Sequence, residues 1–451
     1  MFHGLRQLVR TLHAAPDVIA KHAQWDADWI GRTGAERAEP AKRLAASAPL
    51  RIVFVTPYQF MPVQHGGGTL IYHAMRELHR RGNEISVVGF VDSQEWVDAA
   101  APLREFCAEV QLLVRPQRAL AKERRRAAPL GVALFEMPEL RSALDEVIAR
   151  RDPDVLQIEY TQLASFGAPA PRAVSCVTAH DVAFVSQYRR ALAEADAKAA
   201  KEAHAEYLRM FHHELTALAR CDVVFPVSAH DGALLGGYLG RSTHVSSATR
   251  TGIEVDRLGK LTRRPEPASL LFIGFFPHAP NADAITWYAR EVLPRVHRVR
   301  PDVTLTIVGA EPPEAVRALA ADPRVTVRGF VDDLDAEYAR ATALVAPIRQ
   351  GAGVRIKILE AFAASVPVLA TRIGAEGIDA RDGEHIMLGD TPDELAEKTL
   401  ALLDAPALQA RLSAAGRELV RRTHAWPAVA EAMEGEYRRA LRRKGLMEGG
   451  S

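Results

Sequence analysis

The feature that most constrains this chain is an alternation of short, wholly apolar runs with longer amphipathic stretches, and it occurs twice. Arg51-Ile52-Val53-Phe54-Val55-Thr56 shows no apolar–polar alternation. A strand of that kind is buried on both faces, as in a parallel sheet covered by helices. A glycine loop and a helix over 69–81 follow it. Further apolar runs stand at 85–91, 110–114, 154–158, 173–178 and 222–228, with a long charged helical tract over 185–220. This is the pattern of a doubly wound α/β unit. It restarts at Leu270-Leu271-Phe272-Ile273-Gly274, with runs near Leu305, Val327, Leu344 and Val368 and helices over 392–419 and 427–442.

At 451 residues the chain exceeds what one hydrophobic core usually supports, so two domains are expected. The reading divides it into a helical extension (1–48), a Rossmann-like domain (49–257), and a linker with Pro265 and Pro267 (258–269). A second Rossmann-like domain (270–425) and a helix packing back on the first (426–444) follow, and 445–451 reads as a frayed tail. With 48% hydrophobic and 25% charged residues the chain is globular. A net charge of +1 gives no global case for nucleic acid. Cys107, Cys176 and Cys221 are widely separated, with no CxxC or Cys/His metal spacing. They read as free thiols of a cytoplasmic protein. No apolar run is long enough to span a bilayer, and the N-terminus lacks a secretory core.

Two features bear on surfaces. Phe2, Leu5, Leu8, Val9 and Leu12 recur at helical spacing with Arg6 and Arg10 between them. That helix either packs on the body or lies in a membrane interface. Arg115, Arg118, Lys122, Arg124, Arg125 and Arg126 form a basic tract, read as a solvated face or as a contact with anionic lipid.

The chemistry concentrates at Gly351-Ala352-Gly353-Val354-Arg355-Ile356-Lys357, between two apolar runs. Glycines let backbone approach a ligand. A helix starting near Val354 offers N–H groups and a positive dipole end to an anion. Arg355 and Lys357 add charge-assisted donors, and Glu360, a turn further on, can accept from sugar hydroxyls. The set suits a nucleotide sugar; an ordinary strand–loop–helix corner with an ion pair is the other reading. Gly66, Gly67 and Gly68, with His65 before them, follow the first strand, either as a plain surface loop or in an anion-cradling position. His180 follows a strand end, where a ring can reach a sugar hydroxyl or simply cap the strand. Asp181 reads as a turn or cap and Ser228 as an N-cap.

Five stretches in order resemble the GT-B-fold glycosyltransferases, closest to the retaining family 4. They are Arg349 to Ala361 with Gly374-Ala375-Glu376-Gly377-Ile378; Phe272-Ile273-Gly274 with Pro280-Asn281; Val308-Gly309; Arg328-Gly329-Phe330-Val331-Asp332; and His65-Gly66-Gly67-Gly68. The similarity spans roughly residues 50–425. It implies an α/β GT-B fold of two facing Rossmann-like domains with a deep interdomain cleft, donor on the C-terminal domain and acceptor on the N-terminal one. It implies His180, Arg355 and Lys357 as catalytic residues. It implies Gly66, Gly67, Gly68, Gly274, Gly353, Val354, Arg355, Lys357, Glu360 and Glu376 as donor-binding residues.

The implied reaction is hexosyl transfer with retention from a UDP- or GDP-linked sugar, which is a substrate, with no cofactor and no metal. Asp332-Asp333-Leu334-Asp335 matches the family's turn and helix cap. Acceptors would be glycan or lipid-linked, as in surface polysaccharide, lipopolysaccharide or glycolipid synthesis. The place would be the cytoplasm or the inner face of the plasma membrane. The chain departs from the common pattern at three points. Ala352 stands where many members carry Glu, and Phe275 and Asn281 stand where cations are usual. It resembles a subgroup with a GxGxRxK corner, in which Arg355 and Lys357 take over. Without Glu at 352, a front-face path is expected, the departing phosphate oxygen taking the acceptor proton. A GT-B-fold nucleotide-sugar epimerase and a non-catalytic GT-B-like binding protein are the alternatives. A dehydrogenase is not, since Arg355-x-Lys357 stands where a third glycine belongs.

Overall fold

The apolar runs become parallel strands buried on both faces. The computed structural model describes residues 44–61, 66–117, 127–167, 172–240, 243–246, 251–351 and 353–448. They form two compact units. The first takes the described residues of Met1–Thr249 and Ala430–Ser451, the second those of Arg250–Val429.

The first unit contains β1 (Arg51–Thr56), β2 (Glu84–Val91), β3 (Cys107–Val114), β4 (Val155–Glu159), β5 (Val174–Ala179), β6 (Val223–Pro226) and β7 (His244–Val245). Their spatial order is β3-β2-β1-β4-β5-β6-β7, all parallel. The order reverses between β1 and β4. In open α/β sheets the crevice beyond the carboxyl ends of such a pair is where ligands bind. Val53, Val55, Val88, Leu156, Ile158 and Val177 pack on Leu140, Leu144 and Val147 of helix Pro138–Arg151. Full burial of each such side chain is worth about 1.5–3 kcal/mol.

The second unit contains β8 (Ser269–Ile273), β9 (Thr304–Val308), β10 (Val325–Gly329), β11 (Ala343–Ala346), β12 (Val368–Ala370) and β13 (Met387–Leu388). The order is β10-β9-β8-β11-β12-β13, again parallel, with its reversal between β8 and β11. Here the two-faced burial is explicit. Leu271, Leu344, Ala346 and Val368 face one core with Ile358 and Phe362, while Leu270, Phe272, Val345 and Leu369 face the other with Tyr288 and Val292.

Several boundaries differ from the sequence reading. The helix expected from residue 69 begins at Gly66, so the three glycines form its first turn and not a loop. The tract over 185–220 is two helices, Ala183–Ala193 and Ala197–Leu218. Asp196 breaks it by capping the second, accepting from the Lys198 and Ala199 amides at 3.1 and 2.8 Å. The Pro265–Pro267 stretch, read as a linker, belongs to the second unit. Ile253, Val255 and Leu258 lie in that unit's core, and the Arg264 and Glu266 amides bond to the Ala339 and Arg340 carbonyls at 2.9 and 2.8 Å. Helix Trp426–Arg443 passes into the first unit at Ala430, where the Tyr437 hydroxyl donates to Gln157 Oε1 at 2.8 Å. The stretch after Gly445 is not frayed throughout, since Leu44 pairs with residues 446–448. The expected helix over residues 2–12 and the basic residues Arg118 to Arg126 lie outside the described residues. Arg115 bonds to Asp92 at 2.8 Å.

Candidate functional site

In the second unit the loops after β8 and β11 meet at the strand reversal. Gly351 and Gly353 adopt left-handed φ values of 101° and 81°, which L side chains rarely take. They turn the chain into helix Ile356–Ala363, whose N-cap is Arg355. The Arg355 guanidinium folds back onto the Gly353 carbonyl. Lys357, in the first turn, sends its Nζ across to Asn281 Oδ1 at 2.7 Å, with the Phe272 ring 4.6 Å beneath it. Asn281 is oriented for this, because its Nδ2 donates to the Phe275 carbonyl at 2.8 Å. An amine is thus delivered to the β8 loop from the facing helix.

The electrostatics suit an anion. Burial first, and the Arg355 charge second, push the Lys357 amine down to about 7 from its ordinary 10.5, Glu360 opposing. Glu360 lies one turn on and accepts from the Tyr338 hydroxyl at 2.9 Å. Burial holds its carboxyl above the usual range, and the Tyr338 bond pulls the other way. Two basic side chains and the first turn of a helix therefore meet at this corner. Gly274 sits at the end of β8, where a Cβ would lie 2.8 Å from Phe272 and 3.1 Å from Asn281. Gly309, at the end of β9 with φ 153°, has no room for a Cβ against the Gly274 carbonyl. Val354 is half-buried beside these residues. Glu376 lies in the turn after β12, held by the Gly374 amide donating to Thr371 Oγ1 at 2.9 Å.

In the first unit the reversal at β1 and β4 is marked by aromatic rings. Tyr58, after β1, lies 4.8 Å from Tyr160, after β4. Tyr160 has a left-handed φ of 71°, uncommon for a bulky residue. Its ring stacks on His180, centroids 3.8 Å apart and planes within 12°. His180 Nε2 lies 2.6 Å from Glu159 Oε2, and the two side chains are only 7% and 3% exposed. Asp181, read as a turn or cap, lies in the bend before helix Ala183–Ala193 and accepts from the Ser186 hydroxyl at 3.1 Å, while the Ala183 and Phe184 amides donate to Glu214 at 3.0 and 2.9 Å. Burial raises the Glu214 carboxyl to about 7. Ser228 accepts from the Asp231 amide at 3.0 Å as an N-cap, and Asp333 caps helix Leu334–Arg340. His65 and Ala352 lie outside the described residues. Gly66, Gly67 and Gly68 start a fifteen-residue helix after β1.

The structure thus joins Lys357 to the β8 loop through Asn281, with Gly353, Arg355 and Glu360 on the same loop and helix as Lys357, and it places His180 at a strand end of the other unit. Sequence reasoning missed Glu159, Tyr160, Tyr58 and Tyr338. Glu159-Tyr160 directly follows an apolar run, and that strand-end position was the available signal. Among the described residues no group of three or more His, Cys, Asp or Glu is placed to hold a metal. Nor is any helix among them long and apolar enough to cross a membrane.

Comparison with known proteins bears on both units. Residues 267–405 match the family described as Glycosyl transferases group 1. The phosphatidyl-myo-inositol mannosyltransferase of Mycobacterium tuberculosis is 32% identical over an alignment of 200 residues that covers 41% of this chain and 52% of that protein. The chain thus spans about half the length of the curated relatives it matches. Sucrose-phosphate synthase from Thermosynechococcus elongatus superposes with a TM-score of 0.66 at 17% identity, over 87% of this chain and 100% of that one. Anabaena HepE, solved in complex with UDP, gives 0.61 at 13% identity over 86% and 99%. The fold is α/β of the GT-B class, with a Rossmann-like parallel sheet in each unit.

Proposed function

We propose that this chain, whose residues 267–405 are a glycosyl transferases group 1 region, moves a hexosyl group from a nucleoside-diphosphate donor to an acceptor hydroxyl. The observation that carries this is the Lys357–Asn281 contact at 2.7 Å across the β8/β11 reversal, beside the Arg355 N-cap. Two basic side chains and a helix start beside a strand reversal support the binding of a diphosphate there. When the glycosidic bond to the diphosphate breaks, negative charge grows on the leaving oxygen. Lys357, Arg355 and the helix N–H groups stabilise it without a metal. Glu360 takes the ribose hydroxyls, its second oxygen remaining beside the one that Tyr338 holds. Ala352 supplies no carboxylate nucleophile, so retention follows the front-face path, with the departing phosphate oxygen accepting the acceptor's proton. Activity in excess chelator is the expected result; its loss and rescue by Mg²⁺ would refute metal independence.

The donor is UDP- or GDP-linked, a reading supported by the UDP complex of Anabaena HepE. The acceptor is a glycan or lipid-linked hydroxyl, supported by the relatives that act on phosphatidyl-myo-inositol. The place of action is the cytoplasm, at the inner face of the plasma membrane. Co-sedimentation with anionic vesicles at low salt, lost at high salt, tests that contact; protein left in the supernatant at low salt refutes it. A thermal-shift panel of UDP- and GDP-sugars tests donor binding. A ligand at a hundred times its Kd adds about 2.7 kcal/mol, whereas a transition unmoved by every donor overturns the reading.

A further inference from the structure

We propose that Glu159 is the positioning residue of His180. It holds the proton on Nε2 and so presents Nδ1 as an acceptor for a hydroxyl of the bound sugar. The identity of that ligand rests on the transferase reading above.

Two neighbouring strand ends bring the pair together. Glu159 closes β4, opposite Thr178 of β5, and His180 follows β5 by one residue. Their 2.6 Å contact is almost wholly excluded from water. A carboxylate can only accept, so the nitrogen facing it carries the hydrogen. The other Glu159 oxygen accepts from Gln157 Nε2 at 3.1 Å and from the Thr178 hydroxyl at 3.4 Å. Gln157 is itself oriented, because the Tyr437 hydroxyl donates to its Oε1 at 2.8 Å and its Nε2 also donates to Thr178 Oγ1 at 2.8 Å. Every donor in this line therefore points towards Glu159, which leaves Nε2–H as the consistent choice for His180. Tyr160 clamps the ring from one face, and its left-handed backbone is the kind of local strain that clusters at functional sites.

The network leaves one member incomplete. His180 Nδ1 is buried and has no partner among the described residues. A merely structural histidine would be expected to use both nitrogens, and an orphaned buried nitrogen calls for an explanation. A substrate hydroxyl donating to Nδ1 completes it. The tautomer then decides whether this bond can form.

The informative variant is Glu159→Gln. Gln157 and Thr178 keep the new amide oxygen on their side, so the amide NH₂ faces His180. Nε2 must then accept, and the proton moves to Nδ1, with almost no change of shape. Long-range ¹H–¹⁵N spectra of the full-length protein read this directly, with His180→Gln assigning the signals. For the neutral ring, the wild type is expected to carry its proton on Nε2 and Glu159→Gln on Nδ1. Turnover should fall about ten- to a hundredfold, as when a carboxylate that orients a functional imidazole is lost. The donor's Kd should weaken by about two- to tenfold, the effect of losing one hydrogen bond to the sugar.

A wild-type proton on Nδ1 overturns the proposal, and it does so even if the variant fails to fold. So does an inverted tautomer with unchanged turnover. If the wild type neither binds nor uses any nucleotide sugar, the transferase reading fails instead, and the tautomer measurement alone still decides whether Glu159 orients His180.

Discussion

Donor binding should draw a proton from solution, and the amount follows from Lys357. The amine is pushed down to about 7 by burial and by Arg355. Below that pH it is already charged when the donor arrives. Above it, the amine is mostly neutral in the free protein, and a diphosphate placed beside it restores the charge. The two phosphates of a nucleotide sugar are diesters and stay ionised, so they add no proton of their own. At pH 8 the neutral fraction gives an uptake of about 0.9 proton per donor, against about 0.1 at pH 6. Affinity should weaken by about tenfold per pH unit above 7. The sign for folding is opposite to that of a paired lysine. The unfolded chain holds the extra proton between about 7 and 10.5, so the free protein gains stability as pH rises through that window. Calorimetric titration in two buffers of different ionisation enthalpy measures the uptake. Lys357→Met should abolish both the uptake and the pH slope. Zero uptake at pH 8 in the wild type, or equal uptake in the variant, would refute the reasoning.

Arg355→Ala and Lys357→Ala should each slow transfer by about ten- to a thousandfold, the range for losing a donor to a developing anion; unchanged steady-state kinetics in both would remove this corner from the site. Glu360→Ala should raise the donor KM, and a 2′-deoxy donor should lose affinity with the wild type but lose less with the variant. Equal discrimination by both proteins would show that Glu360 does not touch the ribose. Gly309→Ala should destabilise the second unit by about 2–3 kcal/mol, because its left-handed backbone and the Gly274 carbonyl leave no space for a Cβ; an unshifted denaturation midpoint contradicts this.

What the sequence disclosed depends on how local the cause was. β1 and β8 were legible because both their faces are buried, so their apolar runs are unbroken. β7 and β13 were not, since two residues cannot show a period. Gly66 to Gly68 read as a loop because glycine is a poor helix former, although the first turn tolerates it. Asp181 was legible as a turn or cap residue from its place after a strand. Glu214, which accepts from the first amides of helix Ala183–Ala193, lies about thirty positions away from them and arrives only through packing. The same holds for the site. Arg355, Lys357 and Glu360 were visible as a motif, but Asn281 meets Lys357 across 76 positions, and Glu159 meets His180 across 21. Only the parallel pairing of β4 with β5, and the meeting of the β8 and β11 loops, makes those pairs neighbours.

The central claim is group transfer from a nucleoside diphosphate, and its most direct measurement is acceptor-dependent release of that diphosphate. The full-length protein is incubated with UDP- or GDP-sugars and a panel of glycan and lipid-linked acceptors, and the product's anomeric configuration is read by NMR. The account predicts stoichiometric diphosphate release only when an acceptor is present, a product with the donor's configuration, and loss of both in Lys357→Ala. A wild type that binds the donor yet releases no diphosphate with any acceptor, or releases it while Lys357→Ala does so equally fast, would contradict it.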